Sequence, residues 1–221
     1  MTILSICIPS FNRLDCLENC LESILISSQN VKNFEFEVCI SDNFSDKDPI
    51  ELIKKYKKNF KIIYKSNNEN LGFALNAIKS VKISNGKFVW MIGNDDLILP
   101  NTLKDLKKIF LENTEVEFFF INSYHLNSKY LENFTHPFQT SNLNYENMTK
   151  LSKVKSDKEV GFWDIIDPEV SWEFLIGIFL SIFKRDKWLD GLKYINQQDI
   201  KDTNVWSNFD NTCLNAKIIS T

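Results

Sequence analysis

Apolar residues follow two alternating rhythms along the first 122 positions of the chain. Ile3 to Ile8 is a β-branched run halted at Pro9, and behind it Leu14, Leu17, Leu21, Ile24 and Leu25 recur at the spacing of a helix face, with Asn12 placed to cap it. The pattern predicts a strand followed by a helix. Phe36 to Ser41 predicts a second strand, Ile50 to Tyr56 a short helix opened by Pro49, and Lys61 to Tyr64 a third strand. A helix is expected after Gly72, with Phe73, Ala77, Ile78 and Val81 on its core face. Lys87 to Ile92 is almost continuously apolar, as in a strand covered on both faces at the centre of a parallel sheet. Leu103, Leu106, Ile109 and Phe110 predict the next helix, and Val116 to Asn122 the next strand. Strands and helices in that order join through right-handed crossovers, so the expected fold class is α/β, an open, mostly parallel sheet flanked by helices.

Beyond this half the rhythm fades. Asn127 to Lys158 is rich in Asn, Ser, Thr and Lys without clear periodicity and reads as a long surface excursion, the kind of loop that often serves as a lid. An apolar segment from Trp172 to Phe183, a short helix near Asp186 to Leu192 and a last apolar stretch at Ala216 to Ile219 follow. No repeat or linker divides the chain, so residues 1–221 are expected to form one domain with a first half at 1–122 and a second at 123–221.

Composition narrows the partners. Hydrophobic residues make up 43% of the chain and 18 of its residues are Phe, enough for a real core. The formal charge of −3 offers no field that would hold a nucleic-acid backbone, so no nucleic-acid partner is expected. The densest basic stretch, Lys54-Lys55-Tyr56-Lys57-Lys58 with Lys61 and Lys65, reads as a solvated helix face, with peripheral contact to an anionic membrane surface as its alternative. The 5 cysteines (Cys7, Cys16, Cys20, Cys39 and Cys213) are odd in number and lack C-x-x-C spacing, which suits a reducing, cytoplasmic setting without a disulfide framework or a zinc site. The amino terminus lacks the basic lead and apolar core of a signal peptide, and the apolar run from Phe174 to Phe183 falls short of the ~20 residues of a membrane helix.

Ligands of open parallel sheets bind beyond the carboxyl ends of the strands. Four polar strings stand there: Pro9-Ser10-Phe11-Asn12-Arg13, Ser41-Asp42-Asn43, Asn67-Asn68-Glu69-Asn70-Leu71-Gly72 and Gly93-Asn94-Asp95-Asp96. Each alone reads as a turn or a helix cap, whereas four converging on one sheet edge read as a binding site. Adjacent carboxylates at the end of a buried strand repel each other and lose solvation, and a hard divalent ion that prefers oxygen ligands relieves both costs. With only His125 and His136 in the chain, a histidine-rich metal site is set aside.

The ordered set Ile-Pro-Ser-Phe-Asn-Arg, Ile-Ser-Asp-Asn-Phe-Ser-Asp, Asn-Leu-Gly-Phe-Ala-Leu-Asn and Ile-Gly-Asn-Asp-Asp-Leu-Ile-Leu-Pro resembles the family 2 glycosyltransferases of the GT-A fold over roughly residues 1 to 122. The resemblance implies an inverting enzyme that moves a sugar from a nucleotide-diphosphate donor, expected to be uridine-based, to a glycan or lipid-linked acceptor. Its usual setting is bacterial surface-polysaccharide synthesis at the cytoplasmic face of the inner membrane. It also implies roles: Pro9, Phe11 and Asn12 line the base, with Arg13 beside them; Asp42 bonds the uracil ring; Asn70 and Gly72 let backbone approach the nucleotide; and Asn94 and Asp95 complete the donor site. Asp95, with Asp96 as helper, would hold Mn2+ or Mg2+. The family's D-x-D motif has an acid where this chain has Gly93, so a ribose contact is missing. The general base is expected at Asp210, with Asp202 and Asp199 as rivals and Asp164 or Glu173 as remoter ones. Trp163, Trp172, Trp188 and Trp206 are either core residues or acceptor platforms, with at least one expected in the cleft. The alternative from another class is a catalytically inactive module that keeps the nucleotide-sugar pocket. A nucleotidyltransferase, which needs a Gly-rich loop after its first strand, and an aspartyl phosphatase, which needs paired acids there, fit poorly.

Overall fold

The computed structural model describes residues 2–145, 148–151, 156–159 and 177–194. Strands β1 (Leu4–Ser10), β2 (Phe36–Asp42), β3 (Lys61–Ser66) and β4 (Phe88–Met91) alternate with helices α1 (Leu14–Gln29), α2 (Ile50–Tyr56), α3 (Phe73–Lys82) and α4 (Thr102–Glu112). Strand β5 (Phe118–Phe120), a two-residue ladder of β6 (Tyr124–His125) and β7 (Thr149–Lys150), β8 (Ser181–Lys184) and α5 (Arg185–Gly191) follow. The central sheet runs β3-β2-β1-β4-β8-β5, parallel from β3 to β4, with β8 antiparallel to both its neighbours. This is the α/β, mostly parallel architecture expected from the periodicity.

Period-two alternation sorts the strand residues into two cores. Leu4, Ile6, Ile8, Val38, Ile40, Phe88 and Trp90 pack with Leu17, Leu21 and Ile24 of α1, Ile53 and Tyr56 of α2, and Leu103, Leu106 and Phe110 of α4. Cys7, Cys39, Val89 and Met91 point the other way, onto Ala74, Ala77, Ile78 and Val81 of α3 and Trp188 of α5. Both faces of β1 are therefore covered and all seven of its residues are buried, so the ends of the strands are where its polar groups can meet a ligand.

The neighbour of β4 comes from the later half of the chain. The sheet pairs β4 with β8, and β5 docks outside β8, with Val89 opposite Phe183 and Phe119 opposite Ile182. The apolar segment ending at Phe183 thus supplies an antiparallel strand to the centre of the sheet, an order that local periodicity does not encode. The excursion after Asn127 is also less detached than its composition suggests. The Phe138 N–H donates to Asn19 Oδ1 at 2.7 Å, Gln139 Nε2 to Glu22 Oε1 at 2.8 Å, and His136 Nε2 lies 2.8 Å from Glu18 Oε2, so this stretch is stitched to α1. In the basic stretch Lys54 pairs with Glu51, Lys55 with Glu18 and Lys61 with Glu37, which favours the solvated-face reading. No helix among the described residues is long and apolar enough to cross a membrane.

Candidate functional site

The carboxyl ends of β1, β2, β3 and β4 are tied together by asparagines. Asn43 donates from Nδ2 to Asn70 Oδ1 at 2.7 Å and to the Gly72 carbonyl at 3.3 Å, while its Oδ1 accepts from the Leu71 N–H at 2.9 Å and from Asn67 Nδ2 at 3.2 Å. Asn76, buried on α3, accepts from Ser41 Oγ at 2.7 Å and Asn67 Nδ2 at 2.9 Å, and donates to the Ser41 carbonyl at 3.0 Å. Buried amides with both ends satisfied fix a loop rigidly. Gly72 closes the network at φ 78°, a conformation that favours glycine, and its N–H donates to Asn70 Oδ1 at 2.9 Å. Asn43 and Asn67 stand in the polar strings and Asn76 closes the Asn-Leu-Gly-Phe-Ala-Leu-Asn motif, but the sequence assigned none of them a role. A polar residue on the otherwise apolar face of α3 is the signal that would have picked out Asn76.

Asp42 sits at the end of β2, almost wholly buried. Its carboxylate accepts from the Ser45 N–H at 3.0 Å, from Ser45 Oγ, and from Ser66 Oγ at 3.2 Å. Three donors leave about one of the roughly four acceptor positions of a carboxylate for a ligand. Asn12 was expected to cap α1. Instead Arg13 occupies the cap position without a side-chain capping bond, and Asn12, at φ 52°, accepts from the Asp46 N–H at 2.8 Å and donates its own N–H to Ser45 Oγ at 2.9 Å. The loops after β1 and β2 are thereby latched together, and Asn12 is spent on that latch. Ser10, Asn12, Arg13, Asp42 and Ser45 line a cavity of about 360 Å³ between these loops. Pro9 lies inside β1 opposite Ser41 and Phe11 is 40% exposed, and neither lines that cavity.

The loop after β4 brings the acids. Buried serines of α1 hold its far end, Ser23 Oγ accepting from the Ile98 N–H at 3.0 Å and Ser27 Oγ from the Leu103 N–H at 3.1 Å. Asn94 reaches back to Ser10 Oγ at 3.1 Å. Asp96 Oδ2 accepts from the Gly93 N–H at 2.6 Å, and burial, with the Asp95 charge adding to it against the Gly93 bond, pushes its carboxyl up to about 7. Asp95 is exposed, and its Oδ2 lies 2.6 Å from Nη1 of Arg13. A Cβ on Gly93 would stand 2.6 Å from Asp95 Oδ1 and 3.1 Å from Asp96 Oδ2. One oxygen of each acid therefore faces the same small space, and the glycine in the first motif position is what leaves that space open. Paired carboxylate oxygens suit a hard divalent ion, which needs few protein ligands when phosphates complete its shell. Among the described residues no group of three or more His, Cys, Asp or Glu side chains gathers. On the far side of the two acids opens a second cavity of about 640 Å³, walled by Trp90, Ile98, Ile121 and Phe179 and bordered by Asn122 and His125.

The sequence profile described as Glycosyl transferase family 2 matches residues 5–163. The chain belongs to that family. Among curated relatives, the abequosyltransferase RfbV of Salmonella typhimurium is 39% identical over 107 residues, covering 48% of this chain and 32% of RfbV. Among solved structures, Staphylococcus aureus TarS 1–349 in complex with UDP superposes with a TM-score of 0.67 at 15% identity, covering 99% of this chain and 55% of that one. A mannosyltransferase of Pyrobaculum calidifontis in complex with GDP-Man and Mn2+ gives a TM-score of 0.52 at 15% identity, over 90% of this chain and 49% of that one. These neighbours share the GT-A fold. The chain spans about a third of the length of RfbV, at 32%, and about half of the TarS chain, at 55%.

Within this family 2 fold the two halves of the sequence reading fare differently. Residues of the first half assemble along one sheet edge. Asp199, Asp202 and Asp210, the remoter candidates Asp164 and Glu173, and Trp163, Trp172 and Trp206 all lie outside the described residues. Trp188 is buried, its ring stacked on Phe183 at 5.5 Å between centroids, so as a cleft platform it is corrected to a core residue. Trp188, midway along α5, is among the largest fully buried side chains of the molecule, and packing claims it.

Proposed function

We propose that this chain is an inverting glycosyltransferase that transfers a sugar from a uridine-diphosphate donor to a glycan or lipid-linked acceptor. Residues 1–122 would hold the donor and residues 123–221 face the acceptor, within one domain. The observation that carries the reading is the pair of cavities along the carboxyl edge, one ending at Asp42 and the other beginning at Asp95 and Asp96, joined where Arg13 meets Asp95. A nucleoside laid in the first cavity sends its diphosphate toward the two acids and its sugar into the second.

In this reading the remaining acceptor position on Asp42 takes the imide N–H of uracil, which cytosine lacks, with Pro9, Phe11 and Asn12 shaping the loop beside it. The turn at Asn70 and Gly72 presents backbone to the nucleotide, and Asn94 keeps the acid loop against β1. Asp95 and Asp96 would hold Mn2+ or Mg2+, which as a Lewis acid stabilises charge on the departing diphosphate. The acceptor hydroxyl attacks the anomeric carbon opposite that diphosphate, and a carboxylate takes its proton; Asp210 is the proposed base and Asp202 its rival. RfbV, named for transfer of abequose, and TarS, solved with UDP, support donor binding of this kind, and the Mn2+ in the mannosyltransferase supports the metal. The setting would be bacterial surface-polysaccharide assembly in the cytoplasm, peripheral to the inner membrane. Gly93, which suggests an inactive module from sequence, leaves room for both carboxylates, and this supports turnover instead.

A thermal-shift comparison of UDP, CDP and GDP, with and without Mn2+, tests the donor assignment. UDP with Mn2+ should raise the melting temperature most. A larger shift with CDP or GDP would overturn the uridine reading.

A further inference from the structure

The ion pair between Arg13 and Asp95 spans the boundary of the two cavities: Arg13 lines the first and Asp95 the second. It joins residues 82 positions apart, from the loop after β1 and the loop after β4, and buries neither partner, the side chains being 59% and 54% exposed. The other oxygen of Asp95 faces the space above Gly93. Arg13 also occupies the N-cap position of α1, where the helix dipole favours anions and disfavours a cation, so its guanidinium is held there by what it pairs with and not by the helix. An exposed pair of this kind contributes little to folding and is easily exchanged. A planar guanidinium is also the side chain best matched to phosphate oxygens.

We propose that Arg13 is an exchangeable counterion: it neutralises Asp95 in the free protein, yields that carboxylate to a divalent cation, and takes the diphosphate of the donor that arrives with it. One guanidinium then couples cation and nucleotide binding, because the same movement that frees Asp95 for the cation frees Arg13 for phosphate. Coupling of this kind is reciprocal, each ligand raising the affinity for the other. The inference rests on the metal reading above and adds to it a sign: removing Arg13 should help the cation alone and hurt the nucleotide.

Titration with Mn2+, followed by the electron paramagnetic resonance of the free ion, reads this in the wild type, Arg13→Ala and Arg13→Lys, each with and without UDP. Without nucleotide, Arg13→Ala should bind Mn2+ up to about fivefold tighter, since an exposed competitor is gone. With Mn2+ saturating, its affinity for UDP should fall about tenfold or more, the loss of a charge-assisted contact. Arg13→Lys, which keeps the charge without the planar fork, should fall between the two. Unchanged or weaker Mn2+ binding by Arg13→Ala in the absence of UDP overturns the exchange while leaving the metal site standing, and so does unchanged UDP affinity. A wild type that takes up no Mn2+ with or without UDP removes the metal reading and the exchange together. Arg13 is exposed, and unliganded melting temperatures of the variants confirm that all three proteins are folded.

Discussion

Two carboxylate–cation pairs of the same length mark opposite ends of the sheet and do opposite work. At the amino end, Glu37 of β2 is completely buried and its Oε2 meets Lys61 Nζ at 2.6 Å. Its other oxygen accepts from Ser5 Oγ at 2.8 Å and the Asn85 N–H at 2.6 Å. At the carboxyl end, Asp95 meets Arg13 at the same 2.6 Å, but both side chains are more than half exposed. Burial decides the difference. A buried carboxylate must have every lone pair answered, so Glu37 is locked into the fold, whereas an exposed one is answered by water and can change partners. A distance alone does not distinguish a strut from a latch.

The largest effect should come from removing the latch acid. Asp95→Asn should abolish the response of nucleotide binding to Mn2+ and lower turnover roughly a hundredfold or more, because charge on the leaving diphosphate goes unstabilised. Its folding free energy should stay within about 0.5 kcal/mol of wild type, as for other exposed positions. Urea denaturation alongside UDP binding in Mn2+ measures both, and an unchanged metal response would remove Asp95 from the site. In the second half of the chain, Asp210→Asn should lower turnover about a hundredfold with UDP binding retained. Near-normal turnover there, with collapse in Asp202→Asn, would move the base to the rival.

Breaking the strut should invert that result. Glu37→Ala leaves Ser5 and the Asn85 N–H without their acceptor and should cost about 2–4 kcal/mol of stability in urea denaturation, while saturating UDP still binds. A loss below about 1 kcal/mol would mean that water or Lys61 rearrangement replaces the carboxylate. The pH dependence follows from the same environment. Burial raises the Glu37 carboxyl, but the bonds from Lys61, Ser5 and Asn85 outweigh it and leave the group lowered from the ordinary glutamate range. A carboxyl lowered by folding contributes stability that is full above its unfolded range and is lost as pH falls through its folded value. The gap in stability between wild type and Glu37→Gln should therefore be widest near neutral pH and close as the pH drops into and below the range of free glutamate. A gap that widened on acidification would reverse the assignment.

Most of the sheet was legible in the sequence because β1, β2 and β4 are covered on both faces and are mostly apolar, β4 without a break, and α2 has its predicted ends because Pro49 opens it. What the pattern did not carry is order in space. Nothing local to Ile182 says that it will pair with Trp90, about ninety positions earlier, and so the antiparallel strand between β4 and β5 was not foreseen. The polar strings pointed to the right edge of the sheet, yet they did not separate residues that face a ligand from residues that hold the loops. Asn12 looked like a helix cap and became an interloop latch, and Asn43 looked like a turn residue and became the hub of a network. Those assignments depend on partners 24 to 34 positions away in the chain, which no short window contains.

The smallest expected effect lies inside the carboxyl edge itself and compares three residues that share one backbone conformation. Asn12, Asn33 and Phe44 have φ of 52°, 53° and 67°, in the left-handed region. Asparagine is among the residues that tolerate it, but a bulky ring is strained there, at a cost of order 1–3 kcal/mol. Phe44 offsets little of this by packing, since it is 58% exposed. The strain persists because its neighbours over-determine the turn: the Asn43 side chain is bonded to the loop after β3, and Ser45 is bonded through its N–H and hydroxyl to Asp42. The backbone cannot relax at Phe44 without breaking one of those anchors. Phe44→Gly should accordingly raise the unfolding free energy by about 0.5–1 kcal/mol, the relief of strain being offset in part by the greater backbone freedom of glycine in the unfolded chain. Phe44→Ala keeps a Cβ at positive φ and removes the ring, so it should gain less than the glycine variant. Denaturation curves for the pair separate the two contributions: glycine above alanine locates the cost in the backbone, whereas two equally destabilised variants would show that the Phe44 ring packs more tightly than its exposure indicates.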